Sequence, residues 1–404
     1  MFRIRMTRFK LSVLFATIAL VLSACGDEDN SEPPAELTRF QASARLELLW
    51  SSYADEGVGQ QFLSLEPLFL SDKIITAGRD GDVSVVNKAD GDILNEIDLG
   101  AVLSAGVGGN SDVWLFATRE GELIAVDAVT AEISWKVNVP SEILSRPVLY
   151  KNNVLVRTVD GQVVSLELAT GKINWSYRQT NPPLTLRGSS VPIVARDRIY
   201  VGMANGRLVA LSPDNGEVIW DVAQTVPQGH SEIQRLVDID GRAELYGHVL
   251  YAASYQGRLT AIDVLRGQFL WARPFSSYTG VTIDDRNAYS SDDRSHVWAI
   301  DRLSGATLWK QEKLQARNIT RPVLVGDYIV VGDYDGYLHV MSRTDGHFVA
   351  RIAVSDDTEG DIGDRGIIVP PQVDGNNIYV KTRNGMLYAF SINKLAAAEE
   401  NSFQ

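Results

Sequence analysis

The chain has 404 residues, of which 22% are charged and 45% are hydrophobic, as in soluble globular proteins. This length allows two or three ordinary domains or one large repeat domain. The formal net charge is −13, and so acidic a surface repels phosphate backbones, which excludes nucleic acid as a partner.

Residues 1–24 have the pattern of a secretory signal peptide. Four basic residues stand at positions 3, 5, 8 and 10, and an apolar run from Leu11 to Ala24 follows them. As a helix this run spans about 21 Å, which is too short for a hydrocarbon core of about 30 Å. The pattern therefore predicts a cleaved targeting segment and not a membrane span.

The end of that run resembles the lipobox of bacterial lipoproteins. Leu22-Ser23-Ala24-Cys25 places the only cysteine of the chain where lipoproteins are acylated, and several acyl chains on one residue hold a protein firmly at a membrane. Gly26 follows Cys25, whereas an aspartate there often signals retention in the inner membrane. The resemblance thus implies a lipid anchor in the outer membrane, facing the periplasm. The alternative is a buried, unmodified cysteine near a cleavage site.

Residues 25–44 are predicted to comprise the lipidated cysteine and a flexible tether. The segment after the cysteine, GDEDNSEPPAELTRFQASA, is polar and acidic and contains two prolines, a composition typical of linkers. A repeat domain over residues 45–392 and a C-terminal tail over residues 393–404 complete the predicted organisation.

The domain at 45–392 consists of repeats. Three copies are DGQVVSLELATGKINW at 160–175, NGRLVALSPDNGEVIW at 205–220 and QGRLTAIDVLRGQFLW at 256–271. The first glycine of the unit, replaced once by serine, marks eight units: Gly81, Gly121, Gly161, Gly206, Gly257, Ser295, Gly336 and Gly385. A tryptophan closes five units: Trp135, Trp175, Trp220, Trp271 and Trp309. A proline precedes the glycine by 14 residues in five units: Pro67, Pro147, Pro192, Pro322 and Pro371.

Each unit is predicted to form four antiparallel strands. In the third unit a short strand begins at Pro147, and the others cover residues 154–159, 162–166 and 173–177. Asp160-Gly161 is predicted to be a two-residue hairpin turn in which glycine takes a positive φ. Four strands in a repeat of about 43 residues predict an all-β fold, an eight-bladed β-propeller.

The two ends of the repeat domain predict that the propeller closes into a ring. The eighth unit lacks its fourth strand, and residues 46–50 resemble an orphan fourth strand with Trp50 in the tryptophan position. Pairing this strand with residues 385–390 removes two exposed sheet edges. The alternative is an open solenoid, which requires capping repeats at its ends.

The repeat resembles that of quinoprotein-type propellers through Ala-x-Asp-x-x-x-Gly-x-x-x-Trp, as in Ala261, Asp263, Gly267 and Trp271. Two families share it: the pyrroloquinoline-quinone dehydrogenases, and the BamB family, the propeller lipoproteins of the outer-membrane β-barrel assembly machinery. The resemblance to the BamB family covers nearly the whole chain, including the lipobox and the acidic tether.

Two segments resemble BamB loops that contact the periplasmic domains of the barrel protein BamA. Leu184-Thr185-Leu186-Arg187-Gly188 resembles a Leu-x-Leu-Arg-Gly segment, and residues 231–240 resemble an acidic loop, although the residues after Asp240 depart from the family pattern. The resemblance implies these contacts: Leu184, Leu186, Arg187, Asp238 and Asp240. The alternative is that both leucines pack on their own blade while Arg187 meets a local carboxylate.

The chain carries no pattern of a catalytic or metal site. Five histidines are scattered without zinc spacing: His230, His248, His296, His339 and His347. Gly106-Val107-Gly108-Gly109 lacks the spacing of a nucleotide-binding loop and is predicted to be a turn. The acidic residues 356–364 lack calcium-loop spacing and are predicted to be a solvated loop, with weak calcium binding as the alternative. No catalytic residue, metal or cofactor is therefore predicted.

The BamB resemblance implies a non-enzymatic scaffold that docks on BamA and assists the insertion of β-barrel proteins into the outer membrane. Unfolded outer-membrane proteins are a second predicted partner, through strand addition at an exposed sheet edge. One alternative is a periplasmic quinone-dependent dehydrogenase, which requires a calcium site and, in many members, a cysteine pair. The other is a scaffold for a different envelope complex.

Overall fold

The computed structural model describes residues 32–59, 61, 63–186, 190–354 and 365–395. Contacts divide the chain into two units, Met1–Pro34 and Ala35–Gln404, and every strand described belongs to the second. None of the helices within the described ranges has the length and apolarity to cross a membrane. Cys25, Arg187 and the acidic residues 356–364 lie outside these ranges.

The second unit contains eight four-stranded antiparallel sheets, each of which is one blade. The strands of blades one to four are β2 (Leu68–Phe69), β3 (Lys73–Ala77), β4 (Asp82–Asn87) and β5 (Ile93–Asp98); β6 (Leu103–Gly109), β7 (Val113–Thr118), β8 (Glu122–Asp127) and β9 (Ile133–Asn138); β10 (Val148–Tyr150), β11 (Asn153–Arg157), β12 (Gln162–Glu167) and β13 (Ile173–Arg178); and β14 (Ile193–Ala195), β15 (Arg198–Gly202), β16 (Arg207–Leu211) and β17 (Val218–Ala223).

A short 3₁₀ helix, Ile233–Arg235, precedes the fifth blade. The strands of blades five to eight are β18 (Glu244–Tyr246), β19 (Val249–Ala253), β20 (Gly257–Asp263) and β21 (Gln268–Phe275); β22 (Val281–Ile283), β23 (Asn287–Ser291), β24 (Val297–Asp301) and β25 (Thr307–Gln311); β26 (Val323–Val325), β27 (Tyr328–Gly332), β28 (Tyr337–Ser342) and β29 (Phe348–Ala353); and β30 (Gln372–Asp374), β31 (Asn377–Lys381) and β32 (Met386–Lys394), completed by β1 (Ala44–Tyr53).

An apolar cluster fills the space between each pair of neighbouring blades. Ile75 of blade one packs with Phe116 of blade two, and the other pairs follow in the same way around to blades seven and eight. The eighth cluster joins blade eight to blade one through Trp50, Ile74 and Tyr379. Each large side chain buried in this way contributes about 1.5–3 kcal/mol. The clusters confirm the eight-bladed propeller.

The first and last strands close the ring, as the sequence predicts. Strand β1 pairs antiparallel with β32, so that Trp50 lies opposite Ala389 and Leu46 opposite Ile392. The pairing extends to Lys394, two residues past the predicted end of the repeat domain. Blades eight and one are therefore neighbours in a closed ring, because the N-terminal strand supplies the missing fourth strand of blade eight.

The repeated tryptophans connect each blade to the next. The indole Nε1 of Trp135 donates to the carbonyl of Leu168 over 2.8 Å, and its ring lies 2.8 Å from where a Cβ on Gly171 would stand. The same pairing of indole and turn glycine recurs at five other boundaries: Trp50 with Gly91, Trp175 with Gly216, Trp220 with Gly267, Trp271 with Gly305, and Trp309 with Gly346. This contact requires the absence of a side chain, which explains why glycine stands at the turn of the following unit.

The glycine-rich segment 106–109 is part of a strand, and its prediction as a turn is wrong. It forms the end of β6, whose pairing with β7 contains two register shifts. A Cβ on Gly106 would lie 2.6 Å from the backbone nitrogen of Glu66, and one on Gly108 would lie 2.3 Å from the carbonyl of Pro147. Glycine is needed here because three neighbouring chain segments approach one another closely.

Residues 35–43 pack on blade seven, in contrast to the predicted flexible tether. The amide of Ala35 donates to Gln315 over 2.9 Å, and that of Ser43 donates to Val349 over 3.0 Å. The ring of Phe40 lies 5.6 Å from that of Phe348. Composition alone predicted a linker across this stretch, whereas one aromatic residue and several backbone hydrogen bonds hold its second half in place.

Candidate partner-docking face

Two long connections emerge on the same face of the propeller. Because the four strands of a blade alternate in direction, the second turn of each blade and the connection to the next blade leave at the same end. The connection from β13 to β14 covers residues 179–192, and that from β17 to β18 covers residues 224–243. Both exceed the usual length of about 4–6 residues, and they belong to consecutive blades.

The first connection presents two leucines to solvent. Leu184 and Leu186 are 41% and 38% exposed, so neither is packed into its own blade. Their immediate neighbour Arg187 lies outside the described residues. Adjacent apolar side chains on an exposed loop form a surface that a partner can bury.

The second connection places its two aspartates below the surface. Asp238 is 0% and Asp240 is 8% exposed, although a direct contact with a partner requires exposed side chains. Burial raises the pKa of Asp238 to about 6, while the backbone N–H of Leu186 and the charge of Arg157 act in the opposite direction. Asp238 therefore lies close to the backbone of Leu186, although neither of its carboxylate oxygens has a hydrogen-bond partner within the described residues.

A buried arginine faces both aspartates. Arg157, the last residue of β11, is buried, and its charge acts on Asp238 and Asp240. Burial lowers the pKa of Arg157, and burial together with repulsion from Asp238 raises the pKa of Asp240 to about 7. The three groups form a charged cluster inside the ring, which we call the Arg157 cluster.

The structure adds residues that the sequence did not reveal. Val226 and Ile233 of the second connection are exposed apolar side chains on the same face as the leucines. Ile233 is the first residue of the 3₁₀ helix. The side chain of Gln234 fixes the segment before this helix, because it accepts a hydrogen bond from the amide of His230 over 2.9 Å. For Val226 and Ile233 the sequence offered only one indication of a contact role, an isolated apolar residue in a polar loop. Arg157 gave no signal, because an arginine that ends a strand is normally exposed.

The buried histidines hold local structure. His339 of β28 hydrogen-bonds Asp333 through Nε2 over 2.8 Å, and its Nδ1 accepts from Arg351 over 3.0 Å. His296, one residue before β24, pairs with Asp292 over 2.9 Å. In the part of the chain that the structure describes, no three His, Cys, Asp or Glu side chains are grouped so that they could hold a metal ion.

Comparison with known proteins decides between the two families that share the repeat. A family model described as outer membrane protein assembly factor BamB matches residues 79–311 and 303–398. The chain belongs to the BamB family. The BamB factor of Pseudomonas aeruginosa is 37% identical to it over 93% of this chain and 98% of the relative. That of Bordetella pertussis is 34% identical over 91% of this chain and 93% of the relative.

Solved structures agree with this assignment. BamB from Moraxella catarrhalis matches with a TM-score of 0.77 and 29% identity, over 86% of this chain and all of that one. The quinohemoprotein alcohol dehydrogenase from Comamonas testosteroni matches with a TM-score of 0.68 over 86% of this chain and 76% of that one, but at 14% identity. At this identity, the likeness of this chain to the dehydrogenase is one of fold alone.

Proposed function

We propose that the chain is a non-enzymatic scaffold of outer-membrane protein assembly, which docks on the periplasmic domains of BamA. Its match to relatives named outer membrane protein assembly factor BamB, over more than nine-tenths of the chain, carries this proposal. The dehydrogenase alternative rests on a shared fold at 14% identity, and a fold by itself does not imply an activity.

The docking site in this proposal is the leucine segment supported from below by the second connection. Leu184, Leu186 and Arg187 contact BamA, while Asp238 and Asp240 support the segment from the second connection, where both are buried near Arg157. Arginine is enriched among interface hot spots, in which a few residues supply most of the binding free energy, and the two exposed leucines beside it add apolar area that docking would bury. Val226 and Ile233 are further exposed apolar side chains on the same face.

Binding to BamA tests the proposal. The full-length chain, purified in detergent, is titrated against the periplasmic domains of BamA from the same cell. We expect the wild type to bind, and Leu186→Ala and Arg187→Ala each to weaken binding by about 2 kcal/mol, or about 30-fold.

Leu270→Ala is the matched control, because Leu270 is a similarly exposed leucine on the outer strand β21. Thermal melts establish that all three variants fold. If all three variants bind as tightly as the wild type, the assignment of the docking site is wrong, but the scaffold function still stands. No binding by the wild type would refute the scaffold proposal.

The anchor in this proposal is an acylated Cys25 in the outer membrane, with the propeller facing the periplasm. Mass spectrometry of the chain purified from the membrane of its bacterial host is expected to find Cys25 as the first residue, carrying acyl chains. Cys25→Ala is expected to keep residues 1–24 attached. Recovery of an unmodified Cys25 in the wild type contradicts the anchor and leaves the docking proposal standing.

A further inference from the structure

A central cavity opens among the connections that enter the blades. It has a volume of about 540 Å³, and its lining, apart from Tyr334 in the turn between β27 and β28, comes from the segments that precede the first strands of seven of the eight blades. This volume lies within the range of about 300–1,000 Å³ that small-molecule sites have. Its walls combine apolar side chains, among them Leu144, Ile319 and Ile368, with five charged residues: Glu66, Arg146, Asp240, Arg242 and Arg321.

Arg321 is a buried cation in this lining. It is 7% exposed, and its one side-chain hydrogen bond within the described ranges goes to the hydroxyl of Thr282. That hydroxyl donates in turn to the carbonyl of Pro322 over 2.6 Å, so it is a fixed, neutral acceptor. No described carboxylate forms an ion pair with Arg321 within 4.0 Å. Burying a charge without a counter-ion costs several kcal/mol.

The neighbouring arginines add to this positive field. Burial, followed by repulsion from Arg242 and Arg146, lowers the pKa of Arg321 to about 10, while Glu66 and Glu244 act in the opposite direction. The guanidinium therefore keeps its charge at neutral pH. Arg242 has its own partner, Glu244, at 3.8 Å. Arg146 has no described ion pair.

The charge balance of the cavity favours one negative charge and not several. With Arg242 paired to Glu244, Arg146 and Arg321 remain opposite Glu66 and Asp240. Burial raises the pKa of Asp240 to about 7, so near neutral pH this carboxyl is neutral in about half of the molecules. A single negative charge then neutralises the net positive charge of the lining. A polyanion would in addition be repelled by the carboxylate of Glu66.

We propose that this cavity binds a small organic monocarboxylate, whose carboxylate lies against Arg321 and Arg146 and whose apolar part lies against Leu144, Ile319 and Ile368. The planar guanidinium matches a carboxylate with two parallel hydrogen bonds. Binding supplies the counter-ion that Arg321 lacks, and the apolar wall removes the rest of the ligand from water. This inference requires neither BamA nor the exposed leucines, and it shares only Asp240 with the proposed docking site.

Fluorine NMR with 4-fluorobenzoate tests the proposal on the full-length chain in detergent, with 4-fluorobenzamide as the uncharged probe of the same shape. We expect saturable binding of the carboxylate with a Kd of about 1 mM or below, and at least tenfold weaker binding of the amide. Equal binding of the two probes, or binding of neither, overturns the proposal. Displacement of the probe by inorganic phosphate at lower concentration than by benzoate assigns the site to phosphate groups and overturns it as well.

Two variants locate the site. Arg321→Gln is expected to weaken 4-fluorobenzoate binding at least tenfold, and Arg146→Gln to weaken it by a smaller factor. Arg286→Gln, at an exposed arginine on a turn of blade six, is the matched control and is expected to change nothing. If Arg321→Gln does not fold, Arg146→Gln tests the proposed site by itself, because Arg146 is only partly buried and its replacement is expected to leave the fold intact. Unchanged binding in Arg146→Gln, or in a folded Arg321→Gln, refutes the proposed site.

Discussion

Asp55→Ala is expected to lower the free energy of unfolding by about 3–5 kcal/mol, because it breaks a buried ion pair at the closure of the ring. Asp55 follows the closing strand β1, and its carboxylate lies 2.8 Å from the ammonium of Lys381 on β31. It also accepts a hydrogen bond from Thr76 of β3 over 2.6 Å and one from the amide of Gly57 over 2.9 Å. A single buried carboxylate thus connects the closing strand to blades one and eight.

The loss of stability arises because the substitution leaves a buried positive charge without its partner. The side chains of Asp55 and Lys381 are both buried, so alanine at position 55 leaves an ammonium group inside the protein without its counter-ion. Lys381 keeps one acceptor, the carbonyl of Ala77 at 2.8 Å, which does not neutralise its charge. Adding Lys381→Met removes the stranded charge and is expected to recover part of the loss.

Asp374→Ala is the matched control, because the ion pair of Asp374 with Lys88 crosses the same blade boundary at 2.6 Å. The Asp374 side chain is 64% exposed, and exposed pairs contribute about 0–1 kcal/mol. Urea denaturation followed by tryptophan fluorescence measures both variants. A loss below about 1 kcal/mol in Asp55→Ala, similar to that in Asp374→Ala, would contradict the role of Asp55 in ring closure.

Lowering the pH from 8 to 5 is expected to stabilise the protein by about 4 kcal/mol through the Arg157 cluster. The folded-state pKa values of Asp238 and Asp240 are about 6 and about 7, above the value of about 3.9 in an unfolded chain. The folded protein therefore binds protons more tightly than the unfolded chain does. This stabilisation is complete below about pH 4 and is lost as the pH rises through 6 and 7.

Asp240→Asn is expected to reduce this pH dependence to about 1 kcal/mol. It removes the group with the larger shift, and it also removes the neighbouring charge that Asp238 faces when both are ionised. At pH 8 the variant is expected to be more stable than the wild type, because it no longer buries that charge. Asp285→Asn, at an exposed turn position, is the control and should keep the full dependence.

Urea denaturation at pH 5 and pH 8 measures the effect in the wild type and both variants. Carboxyls whose folded-state pKa is lowered, such as Asp333, lose their stabilisation only at lower pH. Burial lowers the pKa of His339, so this histidine opposes the aspartates over the same pH range, and only the comparison of the wild type with Asp240→Asn isolates their effect. An equal pH dependence in these two proteins would show that the aspartates are not buried as described. The same conclusion would follow if Asp240→Asn behaved as Asp285→Asn does.

The repeat architecture was predictable because its determinants recur from unit to unit. The positive-φ glycine, as at Gly161 with φ of 86°, and the tryptophan that contacts a turn glycine recur at fixed spacing. Even the serine in the sixth unit, Ser295, takes a positive φ of 68° in the glycine position. In the fifth unit Gln256, and not Gly257, takes the positive φ.

The docking site was predictable only in part. The exposure of Leu184 and Leu186 agrees with a role in contact, and the resemblance to a family segment pointed to them. The same resemblance treated Asp238 and Asp240 as surface residues, because a run of aspartates in a polar loop is normally solvated. In the folded protein both are buried near Arg157, which lies about eighty residues earlier in the chain on a different blade.

The sequence by itself determined the number of blades, their four-stranded pattern, the closing strand and the family, because each depends on residues that repeat locally or on one pairing of the two ends. The tertiary structure alone decided which charges are buried, that residues 35–43 lie on blade seven, and that seven connections enclose a cavity around Arg321. These features arise from residues far apart in the chain that meet only when the ring has closed. Burial, and with it the energetic consequence of a charge, is a property of that assembled ring and not of any single repeat.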